Sequence, residues 1–316
     1  MNLRVSAEPP LIAVVGPTAA GKSDLGVELA LRLGGEVVNG DSMQLYRGMD
    51  IGTAKLRVDE RRGVTHHLLD RLDVDEPATV AEFQTWAREA IGDCRRRGVT
   101  PVLVGGSALY LRAVLDDFAF PGTDAAVRAR LEAELVALGP VGLHARLQAV
   151  DPAAAETILP GNGRRIVRAL EVVEITGRPF QATLPNHVYA LDRVVQVGLD
   201  VPRGDLQTKI EARVDRMWGD GFVEEVRRLA RAGLRGGRTA SRALGYRQVL
   251  SFLAGECTED EARHETVRST RRFARRQDTW FRRDPRIRWL PYDAPDLTER
   301  AMRVRSGLSA EPSRGH

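Results

Sequence analysis

A glycine-rich string near the start of the chain has the residue types and the spacing of a phosphate-binding loop. It follows the apolar run 11–15, and leucines at helical spacing come after it. In such a loop the glycines let backbone N–H groups surround a phosphate, and the dipole of the following helix attracts the anion. The lysine adds a positive charge, and the serine hydroxyl is a ligand for Mg²⁺. The string therefore predicts a phosphate site of the kind found in nucleotide-binding and ATP-binding proteins, without identifying the compound. The loop consists of Gly16, Pro17, Thr18, Ala19, Ala20, Gly21, Lys22 and Ser23.

Asp41 is the acidic residue placed to act on such a compound. It follows residues 36–39, which predict a second strand. In a doubly wound sheet the carboxyl ends of the strands face the ligand crevice. We therefore expect Asp41 to be a base that acts on the attacking group, and the alternative is a loop aspartate that caps Ser42 or Met43. A nucleotide triphosphatase usually has an acid after a buried strand to organise Mg²⁺, whereas the run 99–104 ends in two glycines and Ser107.

Arginine supplies most of the positive charge. Of the 47 basic residues only Lys22, Lys55 and Lys209 are lysines, so abundant arginine is weak evidence for a nucleic-acid partner. Lys22 and Lys55 both lie in motif-like strings, which also favours phosphate binding by the glycine-rich loop. Position is also informative, since residues 263–288 contain ten arginines and three acids. Such a local excess can hold a polyanion, and a solvated helix face is the alternative of equal weight.

A second group of arginines, at 164, 165 and 168, lies on a predicted helix whose apolar residues are available for a core. The exposed side of such a helix can bind a phosphate backbone, with a solvated surface as the alternative. The pair His66–His67 is interpreted as structural, because no further His or Cys lies at ligand spacing.

The elements that would position these residues belong to an α/β protein. Apolar runs that alternate with helices predict a parallel sheet, whereas the middle of the chain shows helical periodicity and no convincing strand. We expect residues 1–121 and 186–316 to form the α/β core and residues 122–185 an inserted all-helical domain. Helices are expected to dominate from residue 205 on, and the segment after Ser306 to be frayed. The predicted strands are 11–15, 36–39, 66–69, 99–104 and 194–201.

Composition excludes several classes of protein. The 316 residues are 43% apolar and 28% charged, which is typical of a globular chain and not of a disordered one. Two cysteines cannot build a disulfide framework or a four-thiolate zinc site. No apolar run approaches the length of a membrane span, and the first ten residues lack the apolar stretch of a signal peptide. We expect a cytoplasmic protein that does not bind membranes.

Six strings together resemble the bacterial tRNA dimethylallyltransferase family, also called tRNA isopentenyltransferases. They occur in family order, and the string at 41–55 is the longest and most specific of them. The phosphate loop alone would not separate this family from kinases. The strings lie at 16–23, 41–55, 103–110, 164–172, 210–213 and 242–248.

The resemblance implies a P-loop NTPase-like fold and a prenyl transfer reaction. Members transfer a dimethylallyl group from dimethylallyl diphosphate to N6 of adenosine 37, beside the anticodon of tRNAs that read codons beginning with U. They use Mg²⁺, and the loop holds the diphosphate of the prenyl donor rather than ATP. Asp41 matches the catalytic base, and Thr18, Lys22 and Arg213 match the diphosphate contacts.

The resemblance also implies a second partner, the anticodon stem-loop of tRNA. We expect the protein to act on it as a monomer. The matching tRNA-binding positions are Asp41, Ser42, Met43, Gln44, Ser107, Arg128, Arg164, Arg165, Ile166, Val167, Arg168, Arg242, Ala243, Leu244, Gly245, Tyr246 and Arg247.

Two other functions are compatible with the loop. A small-molecule or nucleoside kinase would explain the loop and Asp41 but not the arginine-bearing helix. A non-catalytic RNA-binding ATPase switch is the third hypothesis. Whether dimethylallyl diphosphate or ATP raises the melting temperature distinguishes them.

Overall fold

The computed structural model describes residues 8–118, 120–180 and 187–306. Six parallel strands form one sheet in the order β3-β2-β4-β1-β5-β6. The central strand β1 consists of five fully buried apolar residues, as expected for a strand covered on both faces. The strands are β1 (Leu11–Val15), β2 (Glu36–Asn39), β3 (His66–His67), β4 (Pro101–Gly105), β5 (Val194–Asp200) and β6 (Ile287–Pro291).

Helices flank the sheet, and three more form a separate group in the middle of the chain. Three short 3-10 helices, at Ser42–Leu45, Leu234–Gly236 and Ala240–Arg242, complete the described secondary structure. The α-helices are α1 (Lys22–Leu33), α2 (Val80–Arg96), α3 (Ala108–Leu115), α4 (Ala125–Val150), α5 (Pro152–Thr157), α6 (Gly163–Thr176), α7 (Arg203–Gly219), α8 (Phe222–Arg231), α9 (Tyr246–Leu253), α10 (Glu259–Phe281) and α11 (Leu297–Ser306).

The parallel register brings the functional segments to one edge of the sheet. Strand β1 pairs with β4 on one side and with β5 on the other, and β2 pairs with the far side of β4. Because the carboxyl ends of parallel strands share an edge, the loops after β1, β2 and β4 are neighbours there. These loops contain the glycine-rich string, Asp41 and Gly106 respectively.

The chain divides into two compact units. The α/β unit comprises residues 1–116 and 189–316, and the helical unit comprises residues 117–188. The helical unit is longer at both ends than the expected range 122–185. Its core consists of apolar side chains from α4, α5 and α6, including Leu131, Leu147 and Ile166.

Helix α4 is broken in its middle. Leucines and valines at helical spacing predict a helix through residue 138, and the structure continues it to Val150. Gly139 has φ 68° and ψ 170°, which is not helical, so α4 consists of two helical stretches. Pro140 starts the second stretch, where its missing N–H costs no hydrogen bond.

The sequence analysis did not predict the last strand. Strand β6 lies in the region where helices were expected to dominate, and it forms the edge of the sheet beside β5. It is hard to recognise because one of its five residues, Ile287, is buried and the rest are intermediate or exposed. The predicted strand 66–69 is also shorter in the structure, at two residues. The expected fraying after Ser306 concerns residues outside the described ranges.

No helix in the described part of the chain combines the length and the apolar character that a membrane span requires.

Candidate active site

The glycine-rich loop ends at a helix whose first amides have no side-chain cap. Gly21 precedes α1 with φ 94°, a left-handed conformation that glycine adopts readily, and it offers no capping side chain. The first N–H groups of a helix lack partners within the helix. An anion at this end of α1 would accept hydrogen bonds from them and would interact favourably with the helix dipole.

Lys22 points back across the loop. Its Nζ donates to the carbonyl oxygen of Pro17 at 2.6 Å. Burial, and after it the positive charge of Arg213, lower the pKa of the Lys22 ammonium to about 7. The carboxylate of Asp41 acts in the opposite direction. A bound diphosphate would supply the negative charge that keeps this lysine protonated.

Asp41 caps the 3-10 helix at Ser42–Leu45, because its Oδ1 accepts a hydrogen bond from Met43 N–H at 2.9 Å. The Asn39 side chain fixes the Asp41 backbone, accepting from its N–H at 2.9 Å and donating to its carbonyl oxygen at 2.9 Å. The capping role that the sequence left open is therefore present. The carboxylate also lines both cavities at this edge of the sheet.

Two cavities adjoin at the edge where the strands end. The smaller one, about 90 Å³, contains Lys22 and Ser23 at the glycine-rich loop. The larger one, about 530 Å³, lies among α7, α9 and α10. Their walls share Thr18, Asp41, Thr53, Arg213, Phe273 and Gln277. A compound bound at the loop and a second one in the larger cavity would therefore meet beside Asp41.

Arg213 reaches this shared wall from α7. Its guanidinium donates to the carbonyl oxygen of Thr53 at 3.2 Å. Burial lowers the pKa of Arg213, while the opposite charge of Asp41 raises it. An arginine guanidinium stays charged in proteins, so the shared wall presents the cation of Arg213 together with the carboxyl group of Asp41, and Lys22 lines the smaller cavity.

The predicted tRNA-binding segments of the α/β unit lie around these cavities. Arg242 and Arg247 are exposed, whereas Ala243, Gly245 and Tyr246 are buried. Gln44 lines the smaller cavity. The positions on the wall of the larger cavity are Asp41, Ser42, Met43, Ser107, Arg242, Ala243, Leu244, Tyr246 and Arg247.

Two buried charged residues hold the segment after Asp41, and neither role was expected from the sequence. Glu225 accepts hydrogen bonds from the backbone N–H groups of residues 50–52 and from the hydroxyl of Tyr246, the last at 2.6 Å. Lys55 forms ion pairs with Asp50 and Asp70 at 2.7 and 2.6 Å, with its side chain 3% exposed.

The predicted arginine surface of the helical unit is divided in the structure. Arg164 and Arg165 are exposed. Arg168 instead donates to the carbonyl oxygens of residues 121 and 122 and pairs with Glu171 at 2.8 Å. Arg128 pairs with the same carboxylate, so both arginines are tied to a buried acid.

Ile166 and Val167, two further predicted tRNA-binding positions, have buried side chains. They are 0% and 3% exposed and pack in the core of the helical unit. Helical periodicity explains the result, since α6 must bury one stripe of its surface.

His67, which the sequence interprets as structural, has neighbours of ligand type that are distant in sequence. The fold places Glu36 and Cys94 beside it, with the donor atoms within 4.8 Å of one another. Arg97 already pairs with Glu36 at 2.7 Å. Burial, with the Glu36 carboxylate, raises the pKa of the Cys94 thiol to about 12.

A glycine-rich loop at the end of the central strand, with adjoining basic cavities, defines a P-loop phosphate-binding protein. The sequence pattern of the IPP transferase family matches residues 44–284, and the chain belongs to that family.

Named relatives are similar over almost the whole chain. A tRNA dimethylallyltransferase from Nocardioides sp. (strain ATCC BAA-499 / JS614) is 66% identical over 295 residues, which cover 93% of this chain and 95% of the relative. A protein of the same name from Thermobifida fusca (strain YX) is 66% identical over 297 residues, with coverages of 92% and 93%.

Solved structures are similar too. The tRNA isopentenylpyrophosphate transferase of Bacillus halodurans has a TM-score of 0.68 and 39% identity, covering 96% of each chain. A eukaryotic dimethylallyltransferase, whose structures follow its action on tRNA, has a TM-score of 0.82 and 25% identity over 98% of this chain and 81% of the other. The parallel sheet flanked by helices is thus the P-loop NTPase-like fold of tRNA prenyltransferases.

Proposed function

We propose that this protein transfers the dimethylallyl group of dimethylallyl diphosphate to N6 of adenosine 37 in the anticodon loop of tRNAs reading codons that begin with U. The products are N6-(dimethylallyl)adenosine and diphosphate. The observation that supports this most is the adjoining pair of cavities, since Asp41 lies on the wall they share. The names of the relatives support the same reaction.

The reaction breaks one C–O bond and forms one C–N bond. The allylic carbon is susceptible to displacement because positive charge can spread over the double bond. As the bond to diphosphate breaks, negative charge grows on the leaving oxygens. Lys22, Arg213 and the uncapped amides of α1 are placed to stabilise that charge.

The nucleophile needs a base. The exocyclic amine of adenine is a poor nucleophile and too weak an acid to ionise beforehand. A carboxylate is ionised at pH 7 and can accept the N6 proton as the new bond forms. Asp41 has this role in the proposal, because it lies between the phosphate loop and the larger cavity.

A divalent cation fits the smaller cavity, and we propose Mg²⁺. Hard cations prefer oxygen ligands and often bind through substrate phosphates and a few protein oxygens. The hydroxyl of Ser23 is the proposed protein ligand, and the cation would neutralise charge on the leaving diphosphate.

The larger cavity is the proposed site of the adenine. To reach Asp41 the base must leave the anticodon stack, and protein contacts then replace its stacking. Ser107 and the segments 41–44 and 242–247 lie at this site. Arg164 and Arg165 are the proposed phosphate contacts of the helical unit, with Arg128 and Arg168 supporting the helices that present them. We propose that the protein works as a monomer in the cytoplasm.

One experiment tests the reaction. Protein is incubated with unmodified tRNA and labelled dimethylallyl diphosphate, and the nucleosides are then separated after digestion. Label on adenosine 37 is the expected result, and a transcript with guanosine at position 37 is the matched control. A melting temperature that rises with ATP but not with dimethylallyl diphosphate, together with tRNA that gains no label, would favour the kinase hypothesis instead.

A further inference from the structure

Gln277 of α10 makes two hydrogen bonds where the two cavities adjoin. Its Oε1 accepts from the backbone N–H of Thr18 at 2.9 Å, and its Nε2 donates to the carbonyl oxygen of Gly106 at 2.7 Å. The side chain is 6% exposed. One amide thus connects α10 to the glycine-rich loop and to the loop after β4.

The bond to Thr18 is one of two that hold the same peptide group. The N–H of Thr18 and the carbonyl of Pro17 belong to a single peptide plane. Gln277 holds the nitrogen side of that plane, and Lys22 holds the oxygen side at 2.6 Å. The plane is therefore fixed at both of its polar atoms.

A diphosphate that binds at the loop competes with the Pro17 carbonyl for Lys22. Hydrogen bonds between two charged groups are stronger than those to a neutral carbonyl, so the Lys22 ammonium favours the ligand over Pro17. Gln277 is then the side chain that still holds the peptide. Because the side chain of Thr18 lines both cavities, a rotation of this peptide would move the cavity wall.

Gly106 has no side chain, and the Gln277 amide occupies the space beside it that a Cβ would need. A Cβ at this position would lie 2.6 Å from Gln277 Nε2 and 3.4 Å from Lys22 Nζ. Any side chain at residue 106 would therefore displace the amide or crowd the lysine. The close approach gives a second way to disturb the contact without changing Gln277.

We propose that Gln277 is a positioning residue for the donor diphosphate. Gln277 holds the Pro17–Thr18 peptide in place while Lys22 releases the Pro17 carbonyl and binds the ligand. The proposal deepens the proposed function and rests on it for the identity of the donor. The geometry at the loop can be tested with inorganic diphosphate alone.

The test uses Gln277→Met, which keeps the length of the side chain and loses both hydrogen bonds. Calorimetry would measure the binding of inorganic diphosphate and of dimethylallyl diphosphate. We expect both to weaken about tenfold, the size expected when hydrogen bonds that order a binding loop are lost. KM for the donor should rise in proportion, kcat should change less, and the Kd for tRNA should stay within twofold.

Gly106→Ala is the second variant and should weaken diphosphate binding in the same direction. Gln148→Met makes the same replacement at an exposed position of α4 and should leave all constants unchanged. Wild-type diphosphate affinity in Gln277→Met would overturn the proposal. A parallel loss of diphosphate and tRNA affinity with a lower Tm would also overturn it, since that indicates general damage. Wild-type protein that binds diphosphate but prenylates no tRNA would instead refute the proposed function.

Discussion

Asp41 has an observed role as a cap and a proposed role as a base, and the two roles require different properties of its side chain. As a cap it needs only an acceptor oxygen toward Met43 N–H. As a base it needs the negative charge of a carboxylate. A substitution that keeps the acceptor and removes the charge can therefore separate the two, which replacement by alanine cannot do.

We expect Asp41→Asn to lower kcat by about 10²-fold or more, the usual scale for general base catalysis. Binding of dimethylallyl diphosphate should change by less than threefold, and Tm should stay within a degree or two because the cap survives. Rapid-quench turnover and a thermal melt would measure these quantities. Near-normal turnover would exclude Asp41 as the base.

Helix α6 divides its arginines between an ion pair with a buried acid and an exposed surface. Arg168 faces the buried carboxylate of Glu171, which is 0% exposed. Arg164 and Arg165 lie on the exposed side. The two groups are only a few residues apart in sequence, so their positions around the helix axis decide which arginine faces Glu171 and which are exposed.

The exposed pair is tested by Arg164→Gln/Arg165→Gln, which keeps helix propensity and removes two charges. Affinity for tRNA should fall, and the slope of log K against log salt should become shallower by up to about 0.7–0.9 per lost phosphate contact. Tm should hold. Arg227→Gln/Arg231→Gln on α8 removes the same charge at exposed positions away from the cavities. An equal effect of the control would mean that only net charge matters.

The buried acid is tested by Glu171→Gln. Its carboxylate pairs with Arg128 and Arg168, and its loss leaves two arginines without a counterion near the core. We expect a loss of about 3 kcal/mol in the free energy of unfolding of the helical unit. Glu174→Gln, on the same helix but exposed, should cost less than about 1 kcal/mol. Denaturant titrations of both variants would show no such difference if the buried pairs contribute nothing.

At the scale of the whole molecule, acid should weaken the fold partly through Glu36. Hydrogen bonds from Arg97, His67 and Cys94 hold the pKa of this carboxyl at about 2, below its ordinary 4.5, and the Arg97 bond has the largest effect. A pKa that is lower in the folded state stabilises the fold above the unfolded value. This contribution is lost as the pH falls from about 4.5 through 2.

We therefore expect a pH-dependent difference between the wild type and Glu36→Gln. At pH 7 the free energy of unfolding should be lower in the variant by up to about 3 kcal/mol, and the gap should close between pH 5 and 2. Chemical denaturation at several pH values would measure it. Glu28→Gln, which removes two ion pairs on the surface, should show a much smaller gap, and a constant gap for Glu36→Gln would contradict the mechanism.

The features that depend on local sequence were predicted, whereas those that depend on long-range contacts were missed. The strand before the glycine-rich loop and the helix after it are local, so residues 11–33 were correct in type and close in bounds. Strand β6 was missed because its burial depends on pairing with β5 and not on its own residues. The roles of Glu225 and Gln277 were missed for a related reason, since both bond to backbone groups that lie 171 to 259 residues away in sequence. Arginines that pair inside a unit and arginines that face solvent look alike in sequence, as Arg168 and Arg164 show.

The point at which the helical unit joins the α/β unit has a consequence for chain entropy. Asp116 and Tyr189 form an antiparallel bridge, so the inserted chain leaves and returns at adjacent positions. For the α/β unit the insertion is a closed loop, and the entropic cost of closing a loop grows only with the logarithm of its length. Lengthening or shortening the insertion therefore changes the free energy of unfolding of the α/β unit only a little. The helical unit can change in size without altering the distance between the glycine-rich loop and Asp41.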